Sequence, residues 1–327
     1  MGNSPSNKID RPFENYFSIV FERLSAFISQ NNPHTNCFRI FHGFDDSLPA
    51  FIKGITIDLY QSIILIQTSQ QTETSQETLR YLVENIPKNL PIVYKSRFYE
   101  NGLFLNKTTV LQGSVTVDPI YIKENNRLFL IQLFDKLDTG LYLDTALVRE
   151  WLFQNSHQKK ILNLYSYTCS YGVAAMMGGA LDVVNVDSSR SALQIGKLNY
   201  TANNLEINQR SFSHLPVSDF LRFAIKRKDY FETIIIDPSP PPPSLRTIEE
   251  KINYYLRPIQ KCLKIINPLG RILVSCHNFL DITPEQFKKT IEEKIPEITC
   301  EFAIGFPKEF ALTQPKMFVF KLKTFGN

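Results

Sequence analysis

Two patterns of apolar and polar positions follow one another along the chain, and they change near residue 118. Over residues 12–30 and 76–84 apolar side chains recur at helical spacing, which predicts two helices. Short β-like runs lie between and after them, at 38–41, 51–58, 62–67, 91–95 and 103–105. Residues 1–118 are therefore predicted to form a small N-terminal α+β domain.

After residue 118 the pattern predicts a second domain, 119–327, which begins with a bridging hairpin over 119–135. Strands are then predicted near residues 161, 183, 210, 232, 271, 297 and 316, and helices separate the earlier ones. Strands alternating with helices form parallel sheets, whereas two strands without a helix between them pair antiparallel. The sequence thus predicts an α/β domain with a seven-stranded, mostly parallel sheet whose last strand is reversed.

The segment 161–187, ILNLYSYTCSYGVAAMMGGALDVVNVD, carries the strongest functional signal. Two apolar strands flank a small-residue helix, and the second strand ends on Asp187, which could accept hydrogen bonds from both hydroxyls of an adenosine ribose. The turn lacks the glycines with which dinucleotide sites cradle a pyrophosphate, which disfavours a nicotinamide dehydrogenase. A ribose ligand without phosphates, such as S-adenosylmethionine, fits better. A parallel βαβ unit without any ligand would show the same pattern.

Composition indicates a soluble globular protein. Hydrophobic residues make up 43% of the 327 residues and charged residues 21%. We find no run of about 18 apolar residues that could span a membrane, and the polar N-terminus, MGNSPSNKID, does not resemble a secretory signal. Five cysteines without metal-site spacing indicate reduced thiols and a cytoplasmic location.

The net charge of +4 comes from the C-terminal part of the chain. Lysines and arginines number 10 against 11 acidic residues in 1–118, and 26 against 21 in the remainder. Lys159-Lys160 and the segment Arg222 to Lys228 are the densest basic clusters. Such clusters could contact RNA phosphates, or they could be solvated ends of helices.

Residues 162–180, LNLYSYTCSYGVAAMMGGA, resemble LNLFSYTGGFSVAAAAGGA, a signature of class I ribosomal RNA large-subunit methyltransferases of the cytosine-5 group. Three more segments resemble motifs of that family, at 38–67, 139–150 and 186–205. The resemblance implies a Rossmann-like class I methyltransferase fold, S-adenosylmethionine as cofactor and ribosomal RNA as partner. It leaves a homodimer possible. The small RNA-binding domain with which many members begin is not expected here.

Ligands of an open α/β sheet bind beyond the carboxyl ends of its strands. The resemblance and this rule together predict a cofactor site made of Tyr167, Thr168, Ser170, Asp187, Ser188, Asp219, Asp237 and Pro238. Backbone and hydroxyl groups of the first three would hold the methionine part, and Asp187 the ribose. Asp219 matches the place where the family has an acidic residue against the adenine. Ser218 or Asp219 is equally well explained as the N-cap of a helix.

Asp237-Pro238 ends the predicted fourth strand and matches the first two residues of the family's DPPxF motif. The resemblance places this carboxylate beside the reactive methyl group, which makes Asp237 a predicted catalytic residue. The motif then departs from the family, because Ser239 replaces the second proline, no aromatic residue follows, and Pro240 to Pro243 form a proline run. That run could instead be a stiff surface loop.

Cys276 follows the predicted fifth strand, where the family's cytosine enzymes carry a nucleophilic thiol. Carbon C5 of cytosine is a poor nucleophile until a thiolate adds to C6, so the chemistry requires a cysteine. A small buried cysteine is the alternative. The neighbouring His277 is expected to point to the other face of the strand. Cys169 is predicted to be a small residue of the cofactor turn, and Cys37, Cys262 and Cys300 to be core residues.

Asp144 and Arg149 precede the first strand and are five residues apart, too far for an ideal helical pair. The family uses this segment to cover the cofactor and line the substrate entrance, while a structural role explains it equally well. For the whole chain we predict an S-adenosylmethionine-dependent methyltransferase acting on ribosomal RNA at cytosine C5. Methylation of a guanine nitrogen or a small molecule, and a catalytically degenerate cofactor- or RNA-binding protein, are the alternatives.

Overall fold

The computed structural model describes residues 14–44, 48–49, 52–68, 76–100, 103–115, 119–134, 138–276, 282–310, 312 and 314–323. The chain divides into two compact units. The first comprises residues 1–125 and 132–137, and the second comprises 126–131 and 138–327.

The first unit is built on a five-stranded sheet with strand order β1-β2-β3-β4-β5. The helices and strands of this unit are Glu14–Gln30 (α1), Cys37–His42 (β1), Ile55–Tyr60 (β2), Ile63–Thr68 (β3), Gln76–Asn85 (α2), Ile92–Glu100 (β4), Leu103–Gln112 (β5) and Ile120–Glu124 (β6). Neighbouring strands are antiparallel except β3 and β4, which are parallel and are joined through α2. Both helices pack with the sheet in one apolar core that includes Phe17, Leu24, Ile57, Leu82 and Ile92.

Strands β4 and β5 are longer than the segments predicted at 91–95 and 103–105. They form one antiparallel hairpin in which Glu100 pairs with Leu103 next to the turn. A ladder of backbone hydrogen bonds does not require apolar side chains. The strands therefore continue through polar residues that the apolar pattern did not include. The predicted first helix was placed from residue 12, and residues 12 and 13 lie outside the described part of the chain.

The second unit contains the seven-stranded sheet. The strands of this unit are Arg127–Ile131 (β7), Lys160–Leu164 (β8), Asp182–Asp187 (β9), Phe212–His214 (β10), Phe231–Ile236 (β11), Ile266–Ser275 (β12), Ile298–Gly305 (β13) and Pro315–Leu322 (β14). Its helices are Ala146–Asn155 (α3), Ser170–Met177 (α4), Arg190–Ala202 (α5), Val217–Arg227 (α6), Ile248–Cys262 (α7) and Pro284–Lys294 (α8), and a 3-10 turn spans Leu143–Thr145. Strand β7 is not part of the large sheet, and β6 and β7 are the two strands of the predicted hairpin.

The order of the large sheet is β10-β9-β8-β11-β12-β14-β13. Strands β8 to β12 are parallel to one another, and β14 is antiparallel to both of its neighbours, β12 and β13. This confirms the predicted seven-stranded sheet with a reversed last strand. The last strand lies inside the sheet, between β12 and β13, and not at its edge.

The central strands are apolar because helices cover both faces of the sheet. Leu162 and Ile234 belong to a core on one face, while Ile161 and Ile235 belong to a core on the other. Successive residues of a strand point to opposite faces, so a strand buried on both sides reads as a continuous apolar run. Where such an apolar run stops, the strand leaves the covered part of the sheet. Because β8, β9, β11 and β12 are parallel, their carboxyl ends lie together along one edge of the sheet, the carboxyl edge.

All five cysteines are free, as predicted. Cys37 and Cys262 are buried, whereas Cys300 is half-buried and packs against the core from its border. Cys300 lies on β13, the edge strand of the sheet, which has a neighbour on one side only. Within the described ranges, we find no helix that is both long and apolar enough to cross a membrane.

Candidate active site

The turn that follows β8 has an unusual backbone. Tyr165, Tyr167 and Cys169 all have positive φ angles, of 58°, 45° and 61°. Such angles are uncommon for residues with a β-carbon and are concentrated at functional sites. The N–H groups of this turn donate inside the protein, that of Ser166 to the Val186 carbonyl oxygen and that of Tyr167 to the Asp187 carboxylate. The turn is therefore a fixed loop that leads into the first amides of α4.

Asp187, at the end of β9, is tied to this turn. Its Oδ2 accepts a hydrogen bond from the backbone N–H of Tyr167 at 2.8 Å, and its Oδ1 accepts one from Ser189 at 2.7 Å. A carboxylate offers about four acceptor positions, so each oxygen keeps room for another donor. The two backbone bonds hold the carboxylate in one orientation.

Thr168 connects the turn to the segment that precedes the first strand. Its hydroxyl donates to the carbonyl oxygen of Gly140 at 2.7 Å, and its side chain is buried. Gly140 has φ +107°, and a β-carbon there would lie 2.7 Å from the carbonyl oxygen of Leu130. Only glycine fits this position, because both the backbone angle and the close approach exclude a side chain. The hydroxyl of Thr168 thus fixes a loop and is not a free donor for a ligand.

Asp237 follows β11 directly and is fixed by a tyrosine of α4. Its Oδ2 accepts a hydrogen bond from the Tyr171 hydroxyl at 2.8 Å. Burial and the neighbouring Asp237 raise the pKa of Tyr171, so the phenol stays protonated and continues to donate. Pro238 is buried, while most of the following proline run is exposed. The Asp237-Pro238 pair therefore faces the site, and the proline run forms a surface loop.

Tyr142 is an exposed aromatic residue at this edge. Its ring lies 5.6 Å from that of Tyr167 at an interplanar angle of 47°. Burial of its hydroxyl and the neighbouring Asp138 raise the pKa of Tyr142. With 49% of its surface exposed, Tyr142 presents a flat apolar face beside Tyr167.

Cys276 lies at the end of β12, opposite Lys316 of the reversed strand β14. The Cys276 N–H donates to the Lys316 carbonyl oxygen at 2.9 Å, and Lys316 Nζ is 2.7 Å from Asp144 Oδ2. Burial raises the pKa of the Cys276 thiol to about 11, although the Lys316 charge opposes the rise. Burial lowers the pKa of Lys316, but Asp144 and Asp237 outweigh this and raise it, so its ammonium group stays charged.

The structure thus brings Tyr167, Asp187, Asp237 and Cys276 together in one constellation. Ser170 begins α4 at the same turn. Ser188 and Asp219 follow neighbouring strands, and the contacts seen for them are with residues outside this constellation. The Ser188 carbonyl oxygen is 3.0 Å from His214 Nε2, and the Asp219 carboxylate pairs with Arg222 at 3.2 Å. Their predicted contacts with the cofactor stay predictions.

Two details of the sequence interpretation need correction at α6 and β8. The N-cap of α6 is Pro216, with Ser218 and Asp219 inside the first turn, so neither is the predicted cap. Lys159-Lys160 was considered as a possible helix end, but Lys160 is the first residue of a strand, β8. Lys160 and the C-terminal end of α6 both lie at the amino edge of the sheet, opposite the constellation. His277 lies outside the described residues.

Sequence reasoning missed three residues of the constellation: Tyr142, Tyr171 and Lys316. Tyr171 and Tyr142 lie inside segments that resemble the family, but nothing in their spacing pointed to Asp237. Asp144 and Arg149 were considered together, and each has its own partner. Arg149 donates to Thr145 Oγ1 and to the Tyr142 carbonyl oxygen, so it fixes the backbone beside the site while Asp144 pairs with Lys316.

The turn after β8 packs tightly against α5, and this leads to a stability prediction. A β-carbon on Gly196 would lie 2.4 Å from Cys169 Sγ, and Cys169 is fully buried. We expect Gly196→Ala to lower the free energy of unfolding by about 1–3 kcal/mol, because the core there has no space for a methyl group. Urea denaturation measures the loss.

Adding Cys169→Gly should recover most of this loss, because it removes the sulfur and also the strain of a left-handed residue with a side chain. Gly305→Ala is the matched control. No atom lies within 4 Å of the added β-carbon there, so its effect should stay within about 0.5 kcal/mol. A Gly196→Ala variant as stable as the parent would contradict this packing.

The constellation fits the S-adenosylmethionine that the resemblance implies. Asp187 keeps one acceptor position on each oxygen for the two ribose hydroxyls. The turn leads into the amides that begin α4, which the side chain of Cys169 does not cap and which suit the methionine carboxylate. These features match a ligand with a ribose and a carboxylate and without phosphates.

Comparison with protein families agrees with this description. Residues 38–322 match the family described as S-adenosylmethionine-dependent methyltransferase. The chain is 30% identical over 249 residues to ribosomal RNA large subunit methyltransferase I of Photobacterium profundum, with 75% of this chain and 62% of that protein covered. It is 30% identical over 205 residues to the protein of that name from Aeromonas salmonicida, with 62% of this chain and 50% of that protein covered. The chain thus spans about half to two thirds of the length of these relatives.

Solved structures show the same architecture. SMU.776, a proposed methyltransferase solved as a complex with SAH, superposes with a TM-score of 0.79 at 25% identity, with 94% of this chain and 81% of that chain covered. A proposed SAM-dependent methyltransferase from Streptococcus mutans superposes with a TM-score of 0.77 at 26% identity over the same shares. The fold and the cofactor expected from the sequence are therefore those of these relatives. They give no support to the homodimer that the sequence left possible.

Proposed function

The chain belongs to the S-adenosylmethionine-dependent methyltransferase family, and from this premise we propose that it methylates large-subunit ribosomal RNA at carbon C5 of a cytosine. The relatives' names support ribosomal RNA as the substrate class. One observation supports the atom that is methylated: Asp237 and Cys276 follow the neighbouring parallel strands β11 and β12, and the Cys276 N–H donates to the carbonyl oxygen of Lys316 on β14. A thiol at this place is what cytosine C5 chemistry requires.

The proposed cofactor residues divide the binding between them. Asp187 accepts from the ribose hydroxyls, and the strained turn around Tyr167 receives the methionine carboxylate. When bound, S-adenosylmethionine supplies a methyl group on a positively charged sulfur. Asp237 follows the adjacent strand, and Tyr171 fixes its carboxylate. In this position it can accept a hydrogen bond from the exocyclic amino group of a target base.

Cys276 performs the covalent step. Its thiolate adds to C6 of the cytosine, the new C–S bond forms, and the electron pair of the C5–C6 double bond becomes available at C5. After C5 has gained the methyl group, a base removes the C5 proton and the C–S bond breaks, which restores the aromatic ring and the thiolate. Because the pKa of the thiol is about 11, Cys276 is protonated at neutral pH and must lose its proton before it attacks.

The exposed ring of Tyr142 gives this proposal a place for the base. An aromatic side chain beside a nucleic-acid site can stack on a flat base, a contact worth about 1–3 kcal/mol. The family motif has an aromatic residue after Asp237, and this chain has the proline run instead. Tyr142 comes from another segment and lies beside Tyr167 of the turn after β8, so it can supply the missing aromatic surface.

One observation favours a second candidate, methylation of a nitrogen on guanine or on a small molecule. Asp237 is held ready by Tyr171, whereas Cys276 is buried with a raised pKa. Transfer to a nitrogen needs an acceptor such as Asp237 and no thiol. A protein that binds the cofactor without any transfer is the remaining alternative.

Methyl transfer to ribosomal RNA fragments tests the proposed substrate directly. With cofactor labelled in its methyl group, we expect label in large-subunit ribosomal RNA and its recovery as 5-methylcytosine after digestion. Binding should weaken as salt rises, with a log-log slope of about −0.7 per phosphate contacted on single strands. Label recovered on guanine would favour the second candidate, and salt-independent or absent RNA binding would favour a small molecule.

A further inference from the structure

Lys316 is a buried lysine at the edge of the constellation that none of the steps above uses. Lys316 is 7% exposed and lies on β14, the strand inserted between β12 and β13. A lysine is almost never buried to this extent without a partner, because removing its charge from water is costly. Asp144 provides that partner, with its Oδ2 2.7 Å from Lys316 Nζ. Burial of this ion pair costs desolvation free energy, which a site with a purely structural role would not need.

The position of Lys316 relative to Cys276 follows from the pairing of their strands. Ser275 pairs with Met317 in antiparallel register, so Cys276 and Lys316 stand directly opposite one another. Side chains opposite in an antiparallel pair lie on the same face, with β-carbons about 4.5–5.5 Å apart. The pairing therefore places the side chains of Cys276 and Lys316 next to each other on one face of the sheet.

The charged and titratable groups around the pair come from several elements. Asp144 from the 3-10 turn and Asp237 after β11 face Lys316, and Tyr255 of α7 lies near both Asp237 and Cys276. The ring of Phe306, after β13, covers Lys316 with its centroid 5.4 Å from Nζ. Among these groups Lys316 is the cation that opposes the effect of burial on the sulfur.

We propose that Lys316 is a positioning residue that supports Cys276 as a nucleophile, by holding its ammonium group where the charge of the thiolate forms. This role rests on the proposed function, in which Cys276 attacks the base. Asp144 keeps the lysine in place and, together with Asp237, keeps it charged. The thiol loses its proton when the substrate requires it, and the nearby cation stabilises the product of that loss.

The alkylation rate of Cys276 tests this role without any RNA or cofactor. The full-length protein is treated with iodoacetamide between pH 7.5 and 9.5, and mass spectrometry of the Cys276 peptide follows the reaction. Only the thiolate reacts, so a rise of one pKa unit slows alkylation about tenfold at a fixed pH in this range. We expect Lys316→Met to slow Cys276 by about tenfold or more and Lys316→Arg to keep a rate close to that of the parent.

Lys321→Met is the matched control, because Lys321 lies on the same strand, is half exposed and pairs with Glu301. It should leave the rate at Cys276 unchanged. If Lys316→Met fails to fold because it leaves Asp144 unpaired, the double variant Asp144→Asn, Lys316→Met removes both partners and should show the same slowing.

Equal rates in the parent and the folded charge-free variant would overturn the proposal. So would a loss in Lys321→Met as large as that in Lys316→Met, or a parent Cys276 that stays unreactive up to pH 9.5. The proposed function fails by a different result, methyl transfer that persists in Cys276→Ala. If alkylation depends on Lys316 while Cys276→Ala still transfers methyl groups, the role of Lys316 is kept and the role of Cys276 in transfer is rejected.

Discussion

Cys276→Ala is expected to abolish methyl transfer to RNA while the affinity for S-adenosylmethionine stays close to that of the parent. The thiol forms a bond only during the reaction, so its loss removes an interaction of the transition state and not of the bound cofactor. The residues proposed to bind the ribose and the methionine carboxylate, at Asp187 and the turn after β8, follow other strands. Transfer of labelled methyl groups and calorimetry with the cofactor measure the two effects separately.

RNA that contains 5-fluorocytosine gives an independent measure of the same step. The fluorine at C5 cannot leave as the proton would, so the C–S bond to Cys276 should persist and a protein–RNA adduct should survive denaturing electrophoresis. Cys300→Ala is the matched control, since Cys300 is the half-buried thiol of the edge strand β13, and it should retain both activity and adduct. An active Cys276→Ala variant without any adduct in the parent would reject the nucleophile and favour Asp237-assisted transfer to nitrogen.

Asp187→Ala is expected to weaken binding of S-adenosylmethionine by tenfold or more. The substitution removes the acceptors of two ribose hydroxyls, which costs about 1–3 kcal/mol for each polar group left unsatisfied in a buried site. It also removes the partner of the Tyr167 and Ser189 N–H groups, so the strained turn loses a support. Calorimetry with the cofactor and with its demethylated product measures the change.

Asp229→Ala serves as the control for Asp187→Ala. Asp229 pairs with Arg227 at the amino edge of the sheet, where no ligand is proposed, and its loss should leave the affinity unchanged. A thermal melt of the ligand-free variants separates a local effect from a loss of fold. Equal affinity in Asp187→Ala and the parent would reject the assignment of the ribose to this carboxylate.

The strand ends of the second unit could be located from sequence because both faces of the sheet are buried. The apolar runs of β8, β9, β11 and β12 stop where the strands leave the sheet, and the first polar residues after them include Asp187, Asp237 and Cys276. The resemblance to a known family then attached chemistry to those positions. Local patterns were thus sufficient for the fold class and for most of the proposed site.

Local patterns were less reliable where a boundary depends on backbone chemistry. The N-cap of α6 was expected at Ser218 or Asp219 from side-chain preference, but Pro216 precedes the helix. The carbonyl oxygen of Pro216 accepts hydrogen bonds from the N–H groups of Asp219 and Phe220, so the helix begins after it without a capping side chain. The left-handed angle of Cys169 is equally invisible in sequence, since few residues with a β-carbon adopt it.

By itself the sequence determined the two-part organisation, the order of the helices and strands, and the strand-end residues, because burial and helical or strand periodicity are properties of neighbouring residues. Only the tertiary structure decided which distant residues meet. Lys316 reaches Asp144 across 172 positions of sequence, and Tyr171 reaches Asp237 across 66. These side-chain contacts depend on the insertion of β14 between β12 and β13 and on the packing of α4 over the sheet. Periodicity carries no information on which strand lies beside which, and the pairing of strands and the packing of helices supply it.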